Sequence, residues 1–166
     1  MSHSAKIMLL GEIGVGKSSL AKRLVFDRFE SDYKTTIGVD ILTCDLTLAS
    51  GGVVRLMLWD TDGDFGETIF STVYVLGASG AIIVSDASRP RTLTRMAELA
   101  HGFSARFPGR PQRALVNKID LAAPDLTALA GSGLAAEEVM LASAKTGEGV
   151  SALFHDLGEA VVRRAL

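Results

Sequence analysis

Apolar residues along this chain fall into short runs separated by polar, glycine-rich segments, and the runs alternate between two kinds of period. Continuous runs at Ala5–Leu10, Ala81–Ser85, Arg113–Val116 and Val139–Leu141 predict strands buried on both faces. Helical spacing appears from Lys17 to about Asp27 (Leu20, Leu24, Val25) and from about Thr92 to Phe107, where Pro108-Gly109 ends it. A last helix begins near Gly149 and carries Val150, Leu153, Phe154, Leu157 and Val161 on one face. Val39–Leu48 and Val53–Trp59, divided by Ala49-Ser50-Gly51-Gly52, predict a hairpin and the one antiparallel pair. Asp60 to Ser71 is rich in glycine and aspartate and predicts a mobile loop, with Thr72–Leu76 as the end of a second helix stopped by Gly77. Strands and helices in alternation predict an α/β fold. The expected architecture is a doubly wound, mostly parallel six-stranded sheet with one antiparallel edge strand, forming a single domain over residues 1–166.

Composition narrows the function. The chain has 166 residues, 48% hydrophobic and 22% charged, which suits one globular domain. A formal net charge of −2 gives no electrostatic case for nucleic acid. The single cysteine, Cys44, sits on the apolar side of an alternating run and is expected to be a small buried hydrophobe, as in a reducing compartment. No leader-like segment and no run long enough to span a bilayer is visible, so a cytoplasmic protein is expected.

Chemistry enters where the first run ends. Gly11-Glu12-Ile13-Gly14-Val15-Gly16-Lys17-Ser18 is a G-x-x-x-x-G-K-S phosphate loop, set between a strand and a helix and followed by Ser19. Glycines let the backbone wrap an anion, while successive N–H groups and the helix N-terminus supply a positive field. Lys17 can reach the β- and γ-phosphates, and the Ser18 hydroxyl can ligate Mg²⁺. Such a loop binds a nucleoside triphosphate without naming the base.

Three later segments name it. Asn117-Lys118-Ile119-Asp120 ends an apolar run, and its aspartate can accept from the N1–H and N2–H₂ donors that guanine has and adenine lacks. Ser143-Ala144-Lys145 ends another, with backbone able to hold guanine O6. Trp59-Asp60-Thr61-Asp62-Gly63 ends a third, where Asp60 would hold Mg²⁺ through water and the Gly63 N–H would meet the γ-phosphate. Each short string is weak alone. All lie at carboxyl ends of strands, the edge where open α/β sheets bind ligands.

In these motifs and their order, the chain resembles a small GTPase of the Ras superfamily, closest to the Rab branch, over nearly its whole length. Phe26 to Asp40 is similar to a Rab effector loop, through Tyr33 and Thr36-Ile37-Gly38-Val39-Asp40. The resemblance implies GTP and GDP as ligands, Thr36 on Mg²⁺ and γ-phosphate in the active state, and Phe29 against the guanine edge. It also implies protein effectors, an exchange factor and a GTPase-activating protein, meeting switch loops 27–37 and 60–71.

Two departures bear on hydrolysis. The family pattern Asp-Thr-Ala-Gly-Gln reads here Asp60-Thr61-Asp62-Gly63-Asp64, so a carboxylate replaces the amide that orients the attacking water. Like charges about 5 Å apart at a dielectric of about 20 repel by roughly 3 kcal/mol, or about two decades in rate. Ile13, where Ras has glycine, would crowd the water and any arginine from a partner. Slow hydrolysis is expected. Asp60, Asp62 and Asp64 also have the opening spacing of a calcium loop, but Phe65 and Ser71 replace its glycine and glutamate, so calcium is not expected.

The sequence ends at Leu166 with no cysteine near it, and Arg163-Arg164 is too small for a polybasic patch. No direct lipid anchor is therefore expected, and membrane recruitment only through a partner. The alanine- and arginine-rich make-up would suit a bacterial member of the branch. Two functions stay open: a slowly hydrolysing GTP switch, or a GTP/GDP-binding interaction module with little or no turnover.

Overall fold

The computed structural model describes residues 2–30 and 36–166. Six strands form one sheet: β1 (Ser2–Gly11), β2 (Val39–Thr47), β3 (Val53–Thr61), β4 (Gly80–Asp86), β5 (Gln112–Asn117) and β6 (Val139–Leu141). Their order is β2-β3-β1-β4-β5-β6, with every pairing parallel except β2 with β3. Helices α1 (Lys17–Phe26), α2 (Pro90–Arg106) and α3 (Val150–Ala165) cover the two faces.

The unbroken apolar run in β1 explains the two-sided cover. Successive side chains point to opposite faces, so Ile7 and Leu9 join one core while Met8 and Leu10 join the other. The first core adds Leu56, Leu58, Ile82 and Val84 and is closed by Leu20 of α1 and Leu153, Phe154 and Leu157 of α3. The second is closed by Leu93, Met96 and Phe103 of α2. Edge strand β2 contributes Leu46 to the core closed by α1 and α3, and Cys44 is half-buried rather than the buried hydrophobe expected.

The segment after β3 departs further from expectation. Residues 63–75 form two 3₁₀ segments, Gly63–Ser71 and Val73–Val75, and no α-helix ends at Leu76. Gly66 breaks the first at φ 50°, ψ −137°, and a Cβ there would fall 2.3 Å from Arg95 Nη2. Thr72 is extended and its hydroxyl accepts from Tyr74 N–H at 3.2 Å, restarting the chain as a new turn. Ile69 and Val75 still reach the core, so burial anchors the segment without helical pitch.

The register carries all the polar ends to one side. Leu9 pairs with Asp60, Gly11 with Val84, Asp86 with Asn117, and Val116 with Leu141. The phosphate loop, Asp60, Asp86, Asn117 and the Ser143 loop therefore share the carboxyl edge of the sheet. Among the described residues no helix is long and apolar enough to cross a membrane.

Candidate functional site

A cleft of about 330 Å³ opens at that edge. Its floor is the loop from β1 into α1. Gly16 caps α1 at φ 101° with no side chain, and a Cβ there would lie 2.3 Å from Asn117 Nδ2, so only glycine fits. The uncapped first turn of α1 faces the cleft through Lys17, Ser18 and Ser19. Lys17 is nearly enclosed, and its ammonium donates to Gly11 O at 2.9 Å and Glu12 O at 3.1 Å. Burial lowers its pKa to about 8, against the opposing pull of Asp60 and Asp62. A buried, incompletely compensated cation at a helix N-terminus is a site for an anion.

Three oxygen-bearing side chains converge beside it. Ser18 Oγ donates to Asp60 Oδ2 and lies 2.8 Å from Thr36 Oγ1, which itself donates to Asp60 Oδ2 at 3.3 Å. Asp60 is 2% exposed, burial pushes its pKa up, and Oδ1 has no partner among the described residues. Hard oxygen donors around an unsatisfied buried carboxylate fit a magnesium ion. Ser18 and Thr36 come from segments far apart in sequence, so their meeting is a property of the fold.

The far end of the cleft is built from the two later loops. Asn117, 1% exposed, donates to Val15 O at 3.0 Å and accepts from Ala144 N–H at 3.0 Å, tying both loops to the phosphate loop. Lys118 donates to Gly14 O at 2.6 Å. Ser143 Oγ donates to Asp120 Oδ1 at 2.6 Å, orienting the carboxylate that was expected to read guanine. Within the Ser143-Ala144-Lys145 segment, whose backbone was expected to hold guanine O6, the Ala144 N–H donates to Asn117 Oδ1. Phe29, Asp120, Ala144 and Lys145 line the cleft together.

Most of the expected residues are thus gathered. Ile13, Gly14, Gly16, Thr36 and Gly63 also line the cleft, while Gly11, Val15 and Ser143 are buried behind it. Gly63 lies so close to the phosphate loop that a Cβ would fall 2.4 Å from Ile13 N. Asp64 is exposed and outside the lining, its N–H held by Asp62 Oδ1 at 2.9 Å. Tyr33, with the rest of residues 31–35, lies outside the described residues.

Sequence reasoning missed three supports. Buried Asp86 pairs with Lys118 at 3.0 Å and Arg89 at 3.1 Å, and Arg89 also donates to Ile13 O at 2.9 Å. Burial alone would raise the Asp86 pKa, yet hydrogen bonds from Ser88, Lys118 and Arg89 hold it below the usual range. Arg23 of α1 donates to Ala144 O at 2.8 Å and Lys145 O at 2.5 Å. Asp86 had a visible signal, a carboxylate closing an apolar run; Arg23 had none.

Comparison with known proteins agrees with this geometry. Residues 6–163 match the Ras family. Ras-related protein SEC4 of Saccharomyces cerevisiae is 36% identical over 162 residues, covering 94% of this chain and 74% of its own length. Ras-related protein Rab-18 of Lymnaea stagnalis is 35% identical over 164 residues (95% and 80%), and Rab-18 of Caenorhabditis briggsae 33% over 163 (95% and 80%). These organisms give no support to the bacterial source that composition suggested. A phosphate loop, a guanine-type loop pair and this extent of similarity lead to one conclusion: the chain belongs to the Ras family and is a Rab-like, GTP-binding small GTPase.

Proposed function

We propose that residues 1–166 form one G domain acting as a guanine-nucleotide switch that binds GTP or GDP with Mg²⁺ and hydrolyses GTP slowly. The observation that carries it is the convergence of Ser18, Thr36 and Asp60, with the Asp60 Oδ1 left without a partner among the described residues. Ser18 and Thr36 are assigned as direct metal ligands and Asp60 as a ligand through water. A bound ion supplies positive charge that offsets the phosphates. Lys17 and the N–H groups from Gly14 to Ser19 hold the phosphates, with Gly11, Ile13, Val15 and Gly16 shaping the loop around them. Asp120 reads the base, Asn117, Lys118, Ser143, Ala144 and Lys145 frame it, and Phe29 flanks it.

Thr36 links the ligand to the loop over residues 27–37, and Gly63 to the segment over 60–71. A change at the third phosphate would thereby be transmitted to the segments that carry Thr36 and Gly63, which is how effectors and regulators would sense it. Asp64 and Ile13 set the rate: the first cannot donate a hydrogen bond when ionised, and the second stands in the cleft. The exposure of Asp64 outside the lining also favours a second reading, a GTP/GDP-binding interaction module with little or no turnover.

Displacement of a fluorescent GDP tests the binding function. Unlabelled GDP and GTP are expected to compete far better than ADP and ATP, and EDTA to speed release severalfold or more. Equal competition by ATP, or release indifferent to EDTA, contradicts the assignment.

A further inference from the structure

Asp62 is a carboxylate in a cleft built for polyanions. It shares the lining with Ile13, Lys17 and Ser18. The backbone fixes it from two sides: its N–H donates to Gly38 O at 2.8 Å, and its Oδ1 accepts from Asp64 N–H at 2.9 Å. The next residue, Gly63, is pressed against the phosphate loop, where a Cβ would fall 2.4 Å from Ile13 N and 2.8 Å from Glu12 C. Asp62 thus lines the cleft next to Gly63, the residue that abuts the Glu12–Ile13 end of the loop. Its field reaches Lys17, whose charged form it favours along with Asp60. Among the described residues Asp62 is in no salt bridge within 4 Å, and its charge is felt in the cleft at Lys17.

We propose that Asp62 is a specificity-determining residue: its carboxylate weakens binding of the triphosphate more than binding of the diphosphate, biasing the chain toward its GDP form. The inference rests on reading the cleft as a GTP/GDP site. Under that reading the third phosphate extends the anion toward the Gly63 segment, where Asp62 is anchored. Every charge added there meets a fixed charge of the same sign, while a diphosphate stops short of it. The hydrogen bond to Asp64 is a separate role, and the two can be taken apart. Asp62→Asn keeps an oxygen acceptor for that N–H and removes the charge. Asp62→Ala removes both, and Asp62→Glu keeps the charge.

The test measures Kd for GDP and for a non-hydrolysable GTP analogue, each with saturating Mg²⁺, at low and at physiological ionic strength. GDP binding by each variant reports an intact cleft. Asp62→Asn is expected to shift the affinity ratio toward the triphosphate by about tenfold, the scale of one partly screened unit charge. Asp62→Glu should stay within about threefold of the unmodified ratio, and added salt should shrink the Asp62→Asn effect. Unaltered selectivity in a GDP-binding Asp62→Asn protein overturns the inference alone, as does a shift in Asp62→Ala that Asp62→Asn lacks. Failure of the unmodified protein to bind either nucleotide overturns the reading of the cleft, and this inference with it.

Discussion

Lys17 illustrates how a single side chain can be held out of balance for a ligand. Its ammonium rests on two carbonyls of its own loop, yet burial lowers its pKa to about 8. A lysine depressed in this way costs the folded protein stability as pH falls from its unfolded value near 10.4 through about 8. A polyanion in the cleft favours the charged form and raises the pKa again. Nucleotide binding at pH 8.5 should therefore take up protons, and binding at pH 7 fewer. Calorimetry in buffers of different ionisation enthalpy measures this; no uptake at pH 8.5 would show that Lys17 does not face the phosphates. At the other end of the cleft Asp120 offers acceptors only. Asp120→Asn should exchange guanine preference for xanthine, whose 2-oxo group needs a donor, by two or more decades in relative affinity. A competition assay with GDP and XDP decides it. Residues such as these were legible in the sequence because their type and spacing state the chemistry. Asp86, Arg89 and Arg23 were not, since their pairing depends on which strand ends the sheet brings side by side.

Single elements show where periodic pattern ends and tertiary contact begins. The strands and three helices follow the apolar runs closely, because each run is buried on the faces that its period defines. The 3₁₀ segments over 63–75 were unreadable: two turns broken at Gly66 and Thr72 have no period, and their shape follows from Arg95, Ile13 and the core beneath. The end of β4 is the element on which the site leans most. Asp86 gathers Lys118 and Arg89, whose other contacts are the carbonyls of Gly14 and Ile13, so one buried carboxylate braces two neighbouring peptide groups of the phosphate loop. Asp86→Asn should lower stability by roughly 1–3 kcal/mol, since two cations lose a charged partner in a partly buried setting. GDP release should quicken severalfold. Urea melts and fluorescent-GDP release measure the two effects, and unaltered release would show that the brace does not shape the loop. The sign of the pH effect follows from the depressed pKa of Asp86. The stability it contributes is present above its unfolded pKa of about 3.9 and is lost as pH falls through the lower folded value.

For the whole molecule the question is what Ile13 and Asp64, the two departures from the family pattern, would do to a GTP-binding switch. The parts proposed to bind lie together in one cleft: an anion floor, the Ser18–Thr36–Asp60 oxygen cluster and the loops assigned to the base. The two residues proposed to slow hydrolysis are placed differently by the fold. Ile13 stands in the cleft, whereas Asp64 is exposed and tethered by Asp62 through its backbone N–H. Under the proposal the two changes would act in series: the segment would have to bring residue 64 inward, and Ile13 to leave space for water. Intrinsic turnover is expected at or below about 10⁻⁴ s⁻¹, the Ras-like scale. Asp64→Gln should raise it about tenfold or more by restoring an amide that both donates and accepts, provided the water can enter. If Ile13 blocks entry, Asp64→Gln alone will change nothing and only the double change with Ile13→Gly will accelerate. Single-turnover hydrolysis of radiolabelled GTP by the four proteins separates these cases. A partner that inserts an arginine or an amide would supply the missing group from outside, making the switch depend on that partner to turn off. An unmodified protein that alone turned over GTP at about 1 s⁻¹ or faster, the kinase-like scale, would contradict this assignment of Asp64 and Ile13.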